Sequence, residues 1–399
     1  MNNDQHIIKR NVMLLQGHAV FLNMIFILPV LVPYYRDQLG LGFREFMIGE
    51  AVFAATVLLM EVPSGWLSDV WTRRKVMIIG TAFNIIGFSV LGFAQSFAMT
   101  IVAQSLIGIS VSLISGTNSA LLYDSLLALG QENKFRRAEG LRQGLNLYMV
   151  SLSCIIGGFA YQMHPLLPLV LSVAASVVAL GFTVFMVEPP RHKESGHKHP
   201  VADMIDTMRY ALHGHAEIAG IILLSAALFA STKMLMWTQQ PYYGLLHLPE
   251  GLFGVFMALG FLLGGLGAHF GHCLEKRVQA VPLLLGCMAY VFGACLLAGL
   301  WPGYHAVPLL LGGSIIWGLA APIVQDALNK RIPSTRRATI LSTASLMVNL
   351  IAIPLYIVIG HMSDAHNIQA GPLTLAALMG GAMASTFVFK KSVTGRDQS

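Results

Sequence analysis

Residues 65–75 read GWLSDVWTRRK, with one acidic and three basic side chains between two apolar runs. The runs cover residues 46–68 and 76–95. Each has the roughly 20 residues that an α-helix needs to cross a hydrocarbon core about 30 Å thick. The stretch is therefore predicted to be a short charged loop that joins two transmembrane helices.

The whole chain has the composition of a membrane protein. Of its 399 residues, 55% are hydrophobic and 11% are charged, whereas about 25% of the residues are charged in soluble domains. The net charge of +6 is spread over short loops instead of forming one basic stripe, so we expect no nucleic-acid partner. The four cysteines lack paired spacing, and the sequence predicts neither a disulfide framework nor a metal site.

Apolar runs like these two recur along the chain, and we count twelve. The predicted fold is an all-α integral membrane protein with twelve transmembrane helices, arranged as two pseudo-symmetric six-helix bundles. The predicted spans are residues 12–34, 46–68, 76–95, 98–121, 143–162, 166–187, 217–240, 251–271, 280–301, 305–325, 340–361 and 372–390.

The positions of the basic residues give the predicted orientation. With both termini in the cytoplasm, 22 of the 25 Lys and Arg residues fall on the cytoplasmic side. Arg36 and Arg44 fall outside, and Lys233 lies within a span. Because cytoplasmic loops carry an excess of Lys and Arg, we expect a multi-pass protein of a bacterial inner (plasma) membrane with both termini cytoplasmic.

The chain divides into two halves around one long polar connection, residues 189–215. We predict an N-terminal bundle over residues 1–188, a C-terminal bundle over residues 216–399, and an amphipathic helix over residues 201–212 of the linker. The halves match at nearly constant offsets: Pro33 with Pro241, Gly65 with Gly267, Asp124 with Asp326, and Phe135 with Thr335. Such a parallel repeat is typical of transporters that rock around a central site.

The charged stretch quoted above resembles the cytoplasmic signature of the major facilitator superfamily, G-x-L-A-D-R-x-G-R-K-x. Gly65, Leu67, Asp69 and the final basic triplet match the signature, whereas Val70 and Thr72 replace its internal arginine and second glycine. The resemblance implies a secondary transporter that works by alternating access. It implies a monomer in the lipid bilayer, without a cofactor, and not an enzyme.

Two departures from patterns of this family bear on the solute. Gln104 stands four residues before Gly108, where proton-linked members often carry arginine, and Ser153-Cys154 stands before Gly157-Gly158, where drug antiporters carry Gly-Pro. The motif spacing is still nearer to bacterial efflux-type members than to sugar carriers. We expect proton-coupled export of a small organic compound, either drug-like or an anion such as a siderophore. The alternatives are a proton-coupled uptake carrier for an organic anion and, from another class, a membrane-embedded lipid-handling protein or sensor.

Charged residues near the predicted cytoplasmic ends are candidates for an inner gate. Asp69 ends a helix beside three cations, where a carboxylate accepts from amides at a neighbouring helix N-terminus or pairs with an arginine. Glu61 lies inside an apolar run and therefore needs a partner or titrates. We expect ion pairs within two clusters, one of Glu61, Asp69, Arg73, Arg74, Asp124, Arg136, Arg137 and Arg142, and a repeat-related one of Asp326, Arg336 and Arg337. The alternative is that these charges only anchor loops at the membrane surface.

Lys233 is the candidate cavity residue that says most about the solute. Lys233, Trp237 and Gln240 follow i, i+4, i+7 spacing and share one helix face. A cation beside an aromatic ring and an amide suits an anionic or polar group, unless the lysine extends to the outer interface. The other cavity candidates are His18, Gln104, Trp317 and Asn349, and the candidate proton carriers are Glu61, Asp124 and His18. No Walker loop is present, so a gradient must drive transport.

Overall fold

The computed structural model describes residues 3–190, 216–274, 278–332 and 337–394. Over these residues the chain is helical and contains no strand, which confirms the all-α prediction. The predicted amphipathic helix at residues 201–212 lies outside them. The helices are α1 (Asn3–Leu22), α2 (Leu31–Leu39), α3 (Phe43–Val70), α4 (Arg73–Gly92), α5 (Phe97–Ala128), α6 (Phe135–Met163), α7 (Leu167–Val184), α8 (Ala216–Leu245), α9 (Glu250–Leu274), α10 (Ala280–Leu300), α11 (Ala306–Arg331), α12 (Arg337–Ala365) and α13 (Ala370–Thr394).

Most of these helices are long and apolar enough to cross a membrane. Among the described residues, ten helices meet that condition, and the apolar part of α13, Ala370–Ala384, is shorter. The first predicted span, residues 12–34, is divided between α1 and α2. The chain is a multi-pass membrane protein, while the count of twelve spans stays a prediction.

The helices form two compact units. Of the described residues, unit 1 contains 3–41, 52–190 and 249–262. Unit 2 contains 42–51 and 216–248, together with the described residues from 263 onward. Unit 1 is therefore built mainly from α1 to α7, and unit 2 mainly from α8 to α13.

The first span of unit 1 is broken at residues 23–27, inside the predicted membrane region. Backbone groups at such a break have no water and must find partners in the protein. The Ser172 hydroxyl of α7 provides one, because its oxygen accepts the N–H groups of Phe26 and Ile27 at 3.0 and 3.4 Å. Gly157 of α6 permits this backbone to approach, since a Cβ there would collide with the Phe26 carbonyl.

Small residues set the distance between corresponding helix pairs in both units. In unit 1, a Cβ on Gly108 of α5 would lie 2.9 Å from the Thr56 side chain of α3. In unit 2, Gly267 of α9 and Gly318 of α11 each face backbone atoms of the other helix and leave no room for a Cβ. The second and fourth predicted spans of each half are therefore packed in the same way.

The N-terminal ends of α3 and α9 are grouped with helices from the other half of the sequence. In unit 2, a Cβ on Gly360 of α12 would lie 2.8 Å from the Cβ of Met47 of α3. In unit 1, Gly254 of α9 lies against the Cys154 carbonyl of α6 with no room for a Cβ. These glycines allow each unit to include one helix end from the other half.

Candidate functional site

Lys233 lies on one face of α8, with aromatic rings one turn away on either side. Phe229 and Trp237 stand four residues before and after it, a spacing that brings side chains onto the same helix face. The Lys233 Nζ donates a hydrogen bond to Asn349 Oδ1 of α12 at 3.3 Å. Lys233 and Asn349 were separate cavity candidates in the sequence analysis, and the structure shows that they contact each other within unit 2.

The aromatic rings beside Lys233 pair with rings from two other helices. The Phe229 ring lies 4.9 Å from that of Trp317 of α11, and the Trp237 ring lies 5.0 Å from that of Phe46 of α3, edge to face. The Trp237 indole is also within hydrogen-bonding reach of the Tyr356 hydroxyl of α12. Trp317 is 39% exposed and Trp237 is 6% exposed. The Phe229–Trp317 pair is therefore partly exposed at Trp317, whereas the Phe46–Trp237 pair is closely packed at Trp237.

Glu50 of α3 adds a carboxylate that the sequence analysis missed. It is 6% exposed and belongs to unit 2. Its charge interacts electrostatically with the Lys233 ammonium and with the Tyr356 hydroxyl. Charged side chains inside membrane bundles pair with one another and mark solute or ion pathways. The available signal was a carboxylate within the apolar run at residues 46–68.

The other three predicted cavity residues are buried between packed helices. Gln240 of unit 2 is 1% exposed, and Gln104 of unit 1 is 4% exposed. His18 of unit 1 is fully buried, and its Nε2 lies 3.0 Å from Thr81 Oγ1 of α4. Because the Thr81 hydroxyl donates to the Met77 carbonyl at 2.8 Å, its oxygen accepts from the Nε2–H of a neutral imidazole.

The start of α4 is tied to two other parts of unit 1. Arg73 forms an ion pair with Asp124 of α5, and its Nη1 donates to the Ala120 carbonyl at 2.5 Å. The two carboxylate oxygens of Glu188 accept the backbone N–H groups of Arg73 and Arg74 at 3.0 and 2.9 Å. A carboxylate at this place satisfies amides that lack a partner within the helix and interacts favourably with the helix dipole.

Two carboxylates that the sequence analysis did not name take part in these inner contacts. The carboxylate at the α4 N-terminus is Glu188, whereas the side chain of Asp69 lies outside what the structure describes. Arg142 of α6 pairs with Glu139, at 2.5 Å. Asp124 pairs with Arg73, a member of the same predicted cluster.

The other inner-gate candidates of unit 1 on described side chains are Arg136, Arg137 and Glu61. Arg136 and Arg137 are exposed, and neither forms an ion pair with a described residue. Glu61 is partly buried in α3, where its backbone carbonyl accepts from the Ser64 hydroxyl at 3.0 Å.

The repeat-related cluster of unit 2 is more exposed. Asp326 of α11 pairs with Lys330, one turn later, at 2.5 Å, and the Lys330 side chain is 60% exposed. Arg331 pairs with Glu217 of α8 at 3.1 Å. Arg336 lies outside the described residues, as does the side chain of Arg337, so their expected pairing with Asp326 stays a prediction.

Family comparison agrees with the signature in the first cytoplasmic loop. The chain matches the model of the Major Facilitator Superfamily over residues 13–356. The chain belongs to the major facilitator superfamily. It is therefore a membrane transporter and not an enzyme, as the resemblance implied.

Relatives of this superfamily transporter cover most of its length at low identity. It is 22% identical to the uncharacterised MFS-type transporter YxaM of Bacillus subtilis, over 88% of each chain. It is 24% identical to the class B tetracycline resistance protein of Escherichia coli, over 76% of this chain and 80% of that one.

Solved structures of transporters share the fold of this superfamily member. The nucleoside transporter NupG matches with a TM-score of 0.73 at 14% identity, covering 97% of this chain and 99% of that one. A bacterial homologue of the human lysosomal transporter Spinster matches with a TM-score of 0.71 at 16% identity, covering 97% of this chain and 86% of that one. At these identities the likeness shows the fold alone.

Proposed function

We propose that this transporter moves a small organic anion across a bacterial inner membrane by alternating access, with protons as the coupling ion. The observation that carries the proposal is Lys233, a cation inside a membrane-spanning helix that donates to Asn349 between two aromatic pairs. A charge at such a depth is costly and is found where it serves a pathway. An ammonium offers a solute carboxylate a charge-assisted hydrogen bond.

The proposed architecture has twelve transmembrane helices in two six-helix bundles, residues 1–188 and 216–399. A cytoplasmic linker over residues 189–215 joins the bundles, both termini are cytoplasmic, and the transporter is a monomer. The distribution of 22 of the 25 basic residues on one side supports this orientation.

The inner gate in this proposal is built around the repeat-related aspartates Asp124 and Asp326. The ion pairs of Asp124 with Arg73 and of Asp326 with Lys330 support it, because each lies near a predicted cytoplasmic helix end. Glu61 and Asp124 are the proposed proton carriers of this region. His18 is a weaker candidate, since its imidazole is fully buried and bonded to Thr81.

Two directions of transport are compatible with this site. Export, of a drug-like or siderophore-like compound, is supported by the similarity to a tetracycline resistance protein. Uptake of an organic anion is supported by Glu50, whose carboxylate competes with an anionic solute for the charge of Lys233.

Transport into membrane vesicles of both orientations tests the proposal. Three labelled carboxylates, benzoate, succinate and citrate, are compared with tetracycline, with and without a proton gradient. We expect gradient-dependent accumulation of at least one carboxylate in one vesicle orientation, and its loss in Lys233→Met. The control is Lys134→Met, which removes an exposed lysine bonded only to Gln131 among the described residues. Accumulation that ignores the gradient contradicts proton coupling, and transport of tetracycline alone contradicts the anion site.

A further inference from the structure

We propose that Glu50 is the proton-binding residue of the Lys233 site, and that a solute carboxylate and a proton bind to the same state of the transporter. The inference rests on the proposed function, because it assumes that Lys233 binds the anion. It adds the residue that takes the proton and the order in which charges are exchanged.

Without solute, the site holds two opposite charges. Glu50 is 6% exposed and stands one turn after Phe46, whose ring lies 5.0 Å from that of Trp237, one turn after Lys233. The carboxylate and the ammonium therefore lie in the same part of unit 2, where their charges interact. Lys233 also donates to Asn349, an amide that leaves the charge balance unchanged. An opposite charge nearby favours the charged form of each group and so lowers the cost of holding both charges away from water.

A solute carboxylate changes this balance of charge. A carboxylate that reaches Lys233 shares the ammonium with Glu50, and the buried site would then carry one net negative charge. Like charges in a low-dielectric site disfavour each other, so one of the two carboxylates takes up a proton. When Glu50 takes a proton from solution, one O–H bond forms, its carboxylate becomes a neutral carboxylic acid, and Lys233 is left to the solute. No other bond forms or breaks in this exchange.

Two other helices, α8 and α12, each place a charged or titratable group near Glu50. From α8 the charged group is Lys233, and from α12 the titratable group is the Tyr356 hydroxyl. Tyr356 lies within reach of the Trp237 indole, which is a donor only. On α3 itself, the acidic and basic side chains nearest in sequence are Arg44 and Glu45, more than one helical turn away. Glu50 is therefore the carboxylate placed to take up a proton when an anionic solute binds to Lys233.

Binding of the anion and the proton to the same state sets the direction of transport. Because the anion and the proton occupy one state, they cross together, and an inward proton gradient drives the anion inward. The pair therefore favours uptake over export for an anionic solute. It also predicts that anion affinity rises as the pH falls, since the protonated form of Glu50 is the one that leaves Lys233 available.

Proton uptake on anion binding tests this inference. Purified transporter in a weakly buffered detergent solution is titrated with benzoate, succinate or citrate, and the change in solution pH is followed together with the heat of binding. The variants are Glu50→Gln, Lys233→Met and, as a matched control for the charge change, Glu132→Gln at an exposed position of the short 3-10 helix before α6. We expect one proton to be taken up for each anion bound by the wild type and by Glu132→Gln. Glu50→Gln should bind the anion without proton uptake and without dependence on pH.

The outcomes separate the inference from the proposed function. Anion binding that requires Lys233 but takes up no proton in the wild type overturns the role of Glu50 and leaves the anion site intact. Binding of none of the three carboxylates by the wild type overturns both. If Glu50→Gln does not fold, infrared difference spectra of the wild type replace it, because the carbonyl stretch of a protonated carboxylic acid should appear when the anion binds. Absence of that band overturns the inference.

Discussion

His18 and Lys233 are the two basic side chains that the sequence placed in the cavity, one in each unit, and their surroundings differ. His18 is fully buried, and its Nε2–H donates to Thr81 Oγ1, whose hydroxyl donates to the Met77 carbonyl. Lys233 is partly accessible, with an amide acceptor and a carboxylate as its electrostatic partner. A basic residue in a membrane helix is thus a structural element in one unit and a candidate binding group in the other.

The surroundings of His18 oppose a positive charge on its imidazole ring. Its Nδ1 has no hydrogen-bond acceptor among the described residues, so a proton added there would be an unsatisfied buried donor. The imidazolium would also be repelled by the charge of Arg142. The difference between the two sites indicates which basic residues inside helices are functional candidates. They are the ones that have an opposite charge nearby and remain accessible to a solute.

The largest expected effect is that of Lys233→Met. We expect this variant to weaken binding of a carboxylate roughly 100-fold, because truncating one partner of a buried charge pair typically costs 2–5 kcal/mol. Isothermal titration with benzoate, succinate and citrate measures it, with Lys134→Met as the control. An intact Lys233→Met protein with unchanged affinity would remove the contrast with His18.

Asn349→Ala should have the next largest effect. The variant removes the acceptor that holds the Lys233 ammonium at 3.3 Å. A hydrogen bond to a charged group contributes about 1.5–3 kcal/mol, and part of this is recovered when solute replaces the amide, so we expect roughly tenfold weaker binding. The same titration measures it. A variant that binds as tightly as the wild type would show that the amide does not position the lysine.

A smaller effect is expected from the ion pair of unit 1, and it should appear in stability. Arg73 and Asp124 are 17% and 14% exposed, whereas the Lys330 side chain of the repeat-related pair is 60% exposed. A double-mutant cycle with Arg73→Met and Asp124→Asn should give a coupling of about 1–2 kcal/mol. The matched cycle with Asp326→Asn and Lys330→Met should give about 0.3–0.5 kcal/mol. Equal couplings, measured by denaturant unfolding in detergent, would contradict the different burial of the two clusters.

The smallest effect is expected from His18→Gln. Glutamine retains an amide N–H that can donate to Thr81, as the imidazole Nε2–H does. We therefore expect carboxylate transport within about twofold of the wild type, because the variant keeps the hydrogen bond to Thr81 and His18 is not part of the Lys233 site. Transport should also keep its dependence on pH. Loss of that dependence in a folded His18→Gln protein would make His18 a proton carrier and reverse the comparison.

The fold was largely predictable because the bilayer imposes a simple rule on sequence. Apolar runs separated by basic loops gave most helices, since charges are excluded from hydrocarbon and cytoplasmic loops retain them. The break between α1 and α2 was not predictable, because the Ser172 hydroxyl that satisfies the broken backbone comes from a distant helix. Hydropathy does not report such partners.

The candidate site was predictable only in part, for a related reason. Lys233 and Asn349 were found because large polar groups inside apolar helices need partners. Glu50 was missed because Lys233, the opposite charge beside it, stands on α8, far away in sequence. Glu188 was missed in the same way. A carboxylate at the α4 N-terminus was expected, but tertiary packing supplied Glu188 from beyond α7.

The most direct test of the account is charge selectivity at Lys233. Carboxylates are compared with neutral analogues of nearly the same shape, namely benzoate with benzamide, succinate with succinamide, and citrate with trimethyl citrate. Uptake of each pair into proteoliposomes is measured for the wild type and for Lys233→Met. The account predicts that the wild type prefers the charged member of at least one pair and that Lys233→Met loses this preference. Equal transport of the neutral and the charged members by the wild type would contradict it. A Lys233→Met variant that retains the preference for the charged member would contradict it as well.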